Sequence, residues 1–92
     1  MSTYIVTYDL SAPARDYKRL FDYLKTYPYA HVVESTWVIK TYKTAATVRD
    51  EIARYVDSND KVLVIQTTRN SAWIGLPDEV GNWLKQHLLS AA

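Results

Sequence analysis

The feature that most constrains this chain is a repeated change of hydrophobic period. Stretches that alternate apolar and polar residues, as strands do, are interleaved with stretches spaced at about 3.6 residues, as helices are. Thr3 to Leu10 (TYIVTYDL) is β-branched and aromatic and predicts a strand. Tyr4, Val6 and Tyr8 fall on one of its faces, and Ile5, Thr7 and Asp9 on the other. Ser11 suits a cap and Pro13 a first helical turn. Tyr17, Leu20, Phe21 and Leu24 then stand at helical spacing, predicting a helix from Ala14 to about Tyr27 that Pro28 ends. Ala30 to Tyr42 (AHVVESTWVIKTY) is β-type again, and long against the usual strand of about 5–6 residues. Its period fits either one long strand or a tight hairpin turning near Glu34-Ser35.

Lys43 to Asp57 predicts a second helix, with Thr44 as N-cap and Ala45, Val48, Ile52, Tyr55 and Val56 as its buried stripe. Lys61 to Thr68 (KVLVIQTT) is the strongest strand, and its unbroken apolar run predicts burial on both faces. Ala72-Trp73-Ile74 reads as a short edge strand. Asp78 to Leu88 reads as a helix with Val80, Trp83, Leu84 and Leu88 in its stripe; Asp78 and Glu79 suit its first turn and Lys85 and His87 its last.

Ninety-two residues make one domain, 1–92, with a modest core that a partner subunit would supplement. The absence of cysteine excludes disulfides, thiolate metal sites and a Cys nucleophile. No apolar run approaches the roughly 20 residues of a membrane helix, and no basic-then-apolar leader opens the chain. A soluble cytoplasmic protein with no membrane partner is therefore expected. A formal charge of +1 gives no electrostatic footprint for tight nucleic-acid binding by one copy. Eight Tyr and three Trp are read first as core and interface anchors and second as base-stacking groups.

With the middle segment bent into a hairpin, the order is β-α-β-β-α-β followed by an edge strand and a C-terminal helix at about 78–88. That is an α+β, ferredoxin-like βαββαβ sandwich. Its two helices cover one sheet face and leave the other bare. A homodimer burying that face is expected, with Thr7 and Trp37 at the interface. The topology also gathers Asp9, Glu34, Ser35 and Asp60 at one end of the sheet. His31 is expected at the other end of its strand, away from Asp9.

Tyr8-Asp9 closing the first strand, a helix, then Ser35-Thr36-Trp37 on a strand, a second helix and a final strand together resemble the CRISPR-associated small endonuclease family, the second Cas protein. The same residues are similar to the virulence-associated protein D ribonucleases. The resemblance covers about residues 3–75 and supplies the bend at Glu34-Ser35. It implies a dimeric ferredoxin-like fold and a metal-binding, catalytic carboxylate at Asp9. Ser35 and Trp37 match the Ser and the aromatic of the second motif, so Ser35 is also a catalytic candidate. Thr36 replaces the usual Val, Val33 stands where that family usually has Gln, and the C-terminal helix has no counterpart in its usual ending.

Chemically, two Asp9 carboxylates meeting at a dimer axis would suit one Mg²⁺, whose remaining ligands are water, with Glu34 or Asp60 as a further ligand or base. The competing reading of Asp9 is a turn residue that caps the following helix. Arg15, Lys18 and Arg19 are candidates for phosphate contacts, against a solvated helix face paired with Asp16 and Asp22. The leading expectation is a homodimeric Mg²⁺-dependent endonuclease acting on RNA or DNA. Its rivals are a non-catalytic nucleic-acid-binding adaptor, and a protein-interaction module of toxin–antitoxin or phage accessory type.

Overall fold

Four strands form one antiparallel sheet in the order β2-β3-β1-β4. The computed structural model describes residues 1–11 and 17–89. The strands are β1 (Ser2–Asp9), β2 (Tyr29–Val33), β3 (Thr36–Thr41) and β4 (Lys61–Gln66). The helices are α1 (Lys18–Leu24), α2 (Ala45–Ile52), which runs on into a 3₁₀ turn at Ala53–Tyr55, and α3 (Asp78–Leu84), which widens into a π turn at Lys85–Leu89. The split βαβ order and the bend at Glu34-Ser35 are those expected of a ferredoxin-like fold.

β-Branched and aromatic residues build the central strands, and their alternation sorts them between two layers. Tyr4, Val6 and Tyr8 of β1 and Trp37 and Ile39 of β3 face α1 and α2. There they pack with Leu20, Leu24, Val48 and Ile52. Thr44 caps α2 by accepting the Thr47 N–H at 3.1 Å, as its position before the apolar stripe predicts. The start of α1 expected at Ala14 falls outside the described residues. The helix closes at Leu24, where Thr26 Oγ1 donates to the Tyr23 carbonyl at 2.7 Å.

The second sheet face departs from expectation. It is not bare: Leu84 and Leu88 of the C-terminal segment pack on Val38, with Ile5, Val32, Trp73, Leu76, Val80 and Trp83 around them. The expected edge strand at Ala72–Ile74 does not form. The ladder with β1 ends where Thr67 N–H meets the Thr3 carbonyl at 2.9 Å. Ser71 then folds back on the Thr68 and Arg69 carbonyls, and Gly75, at φ +82°, turns the chain toward α3. Trp73 serves as a wedge beneath α3 rather than as a strand residue.

Trp37 is corrected as well. It pairs with Val6 in the β1–β3 register, so the two share a face, and that face lies under the helices. Its side chain has 0 % exposure, so it is a core residue and not an interface anchor. Thr7, paired with Thr36, does lie on the second face, where the two hydroxyls meet at 3.1 Å. β4 is not covered on both sides. Val62 and Val64 pack inward, while Leu63 and Ile65 remain 52 % and 49 % exposed. The cover supplied by α3 therefore reaches only part of the second face, and the β4 margin stays apolar and open.

Candidate functional site

The end of the sheet where β1 stops brings together the residues that the topology predicted. Tyr8 N–H donates to the Ser35 carbonyl at 3.1 Å, tying the end of β1 to the β2–β3 bend. Beneath it runs a buried chain of hydrogen bonds. Trp37 Nε1–H donates to Tyr8 Oη at 2.9 Å, and Tyr8 O–H donates to the Glu34 carbonyl at 3.0 Å. Burial raises the Tyr8 pKa, opposed by the Trp37 bond and reinforced by the nearby Glu34 carboxylate. The phenol therefore stays protonated and remains a donor. These bonds fix the backbone from which Asp9 and Ser35 project.

Asp9 is exposed, lies on the second face, and pairs across the ladder with Lys61 of β4. Among the described residues, no side-chain hydrogen bond or ion pair involves Asp9. The carboxylate that binds the chain around the β1–α1 connection is that of Asp60, and no side-chain cap is seen on α1. That carboxylate accepts from Ser11 N–H at 2.8 Å, Ser11 Oγ at 2.9 Å, Asp57 N–H at 2.7 Å and the Tyr17 hydroxyl at 3.2 Å. The Ser11 backbone bond leads in holding its pKa down, to about 2; desolvation opposes it, and the bonds from Asp57 N–H, Ser11 Oγ and Tyr17 add to it. Asp60 is thus a structural knot between the β1–α1 connection and the turn before β4. With its oxygens so engaged, it is a poor candidate for a metal ligand or a base.

His31 lies closer to this end than expected, because its Nε2 sits 2.9 Å from the Glu34 carbonyl. Its ring stacks on Trp37 at 4.0 Å, on the helix side of the sheet, whereas Asp9 is on the other side. The two do not share a pocket. Of the basic residues predicted on the first helix, Arg15 lies outside the described residues. Lys18 pairs with Asp22 on the exposed face, and Arg19 stands 5.7 Å over the Tyr55 ring. Neither is turned toward Asp9 by a contact. The cation that the topology does place opposite Asp9 is Lys61. Sequence reasoning misses it, although its position at the start of β4 is a usable signal once that strand is known to be antiparallel to β1.

Among the described residues, no cluster of three or more His, Asp or Glu side chains could hold a metal ion. At this end one copy offers the exposed carboxylates of Asp9 and Glu34, neither with a side-chain partner among the described residues, with a hydroxyl and an ammonium nearby in the fold. A family model described as CRISPR associated protein Cas2 matches residues 1–73. The chain belongs to this family. The match ends before α3, so the cover on the second face lies beyond the part of the chain that the family model describes. No solved structure gave a significant match. Membership places the chain with CRISPR-associated small nucleases at the level of the family, whose members are typically dimeric. No helix among the described residues is long and apolar enough to cross a membrane.

Proposed function

We propose that this member of the Cas2 family is a homodimeric, Mg²⁺-dependent endonuclease in which Asp9 of each copy supplies the metal-binding carboxylate. The observation that carries the reading is the position of Asp9. It is the uncommitted carboxylate at the end of β1, on the same sheet face as the bare Leu63 and Ile65. A second copy covering that apolar margin would bring the two Asp9 residues toward one another. Two carboxylates with water in the remaining positions form a hard-oxygen donor set suited to Mg²⁺. When bound, the ion would supply an acidified water and stabilisation of phosphodiester charge. The protein's own part is to hold Asp9 at a fixed height through the Tyr8–Ser35 and Tyr8–Glu34 bonds. Ser35, at the bend, and Lys61, opposite Asp9, are placed to contact a phosphate.

The test is incubation with labelled single-stranded RNA and duplex DNA, in Mg²⁺ or in EDTA, beside Asp9→Ala. Cleavage that requires both the ion and Asp9 is the expected result. A folded protein that cleaves neither substrate in Mg²⁺ contradicts the proposal. The second reading, a non-catalytic nucleic-acid-binding adaptor, is favoured by Val33, which stands where the family usually has Gln. It expects salt-sensitive binding that survives Asp9→Ala without cleavage.

A further inference from the structure

The C-terminal cover is held to the sheet mainly by apolar contact. Leu84 and Leu88 are buried against Val38, with Val80 and Trp83 beside them. Among the described residues, a titratable contact also joins the cover to the sheet. Lys40 Nζ, on the second face of β3, lies 3.5 Å from His87 Nδ1 in the π turn, and the His87 ring stacks on Trp83 at 4.1 Å. An ammonium can only donate, so a hydrogen bond from Lys40 to Nδ1 requires a lone pair there and a neutral imidazole. A second proton would place an N–H against an ammonium. The contact would then change from attractive to repulsive, at a site partly withdrawn from water.

We propose that residues 78–89 form an acid-releasable cover. Protonation of His87 against Lys40 lifts the segment from the sheet and uncovers Ile5, Val32 and Val38. Among the described residues, no carboxylate pairs with His87 to offset the added charge. On this face β1 presents Thr3 and Ile5, β2 presents Ala30 and Val32, and β3 presents Val38 beside Lys40. On the helix itself, Glu79 and Lys85 are exposed. Among the described residues, Lys40 is the charged group whose field reaches His87.

Burial first, and then Lys40, lower the pKa of the docked imidazole below its ordinary value. Docking stability from this source is therefore complete above the free histidine value of about 6.5 and is lost as pH falls through the docked value. The release concerns a segment beyond the nuclease-like region and stands independently of Asp9 chemistry.

Amide hydrogen exchange, corrected for intrinsic rates, tests this between about pH 8 and about pH 5, the interval that brackets histidine titration. Protection in residues 80–88 is expected to fall several-fold on acidification while β1 and β3 keep theirs. His87→Gln keeps an acceptor for Lys40 but cannot titrate, and should abolish the response. Lys40→Met keeps the stem without the charge, and should weaken it. Constant protection of 80–88 in the natural chain, an equal fall across β1 and β3, or an unchanged response in both variants would overturn the proposal.

Discussion

Trp37 and Tyr8 illustrate how single side chains set the geometry of the site. Trp37 fills the centre of the helix-side core and also spends its one N–H on Tyr8. Trp37→Ala should therefore destabilise by about 3–5 kcal/mol from cavity formation, read by denaturant unfolding. Tyr8→Phe preserves the ring but removes the bond to the Glu34 carbonyl and leaves the Trp37 N–H without an acceptor. A loss of about 1–3 kcal/mol is expected, with looser amide protection at Ser35. Asp60 carries a different prediction. Its carboxylate is held below the usual aspartate range, so its contribution is present above the unfolded value near 3.8 and is lost as pH falls toward about 2. Asp60→Asn should lower stability at neutral pH and flatten the stability profile between those two values, as acid titration by circular dichroism would show.

At the scale of elements, α2 was readable because its signals are local. Thr44 caps and Val48 and Ile52 face inward in sequence and structure alike, and Thr44→Ala should cost about 1 kcal/mol in thermal or denaturant unfolding. The strand order and the gathering of Asp9, Glu34 and Ser35 at one end also followed from the sequence, once the resemblance supplied the hairpin. What failed depended on register. Alternation puts Trp37 opposite Val38 but does not say which of them faces the helices, and a slip of one residue reverses the answer. The pairing of Val6 with Trp37 settles it through contacts between residues far apart in the chain, to which a local pattern is blind. Trp73 failed for a related reason. An apolar triplet suits a strand or a wedge equally well, and the turn at Gly75 with the docking of α3 decides between them. The knot at Asp60 was missed because its partners, Ser11 and Tyr17, come from a distant part of the chain.

The whole molecule has two unlike sheet faces. One is sealed by α1 and α2. The other is half covered by α3 and half open along Leu63 and Ile65, with Ile74 also standing 95 % exposed. An open apolar margin beside a polar strand end is a surface that association would bury. Leu63→Asp combined with Ile65→Asp should leave the monomer folded, because neither side chain is in its core, and should halve the mass in sedimentation. If the active site needs two copies, the same variant should lose cleavage while keeping its native circular dichroism. The most direct measurement exploits the absence of cysteine. Asp9→Cys places one thiol per copy at the end of β1, and a short bismaleimide can join only thiols that come close together. Rapid, concentration-independent formation of a covalent dimer, suppressed by the Leu63→Asp and Ile65→Asp substitutions, is the predicted result. A protein that sediments as a dimer yet leaves the two introduced thiols unjoined would contradict a site shared between two Asp9 residues.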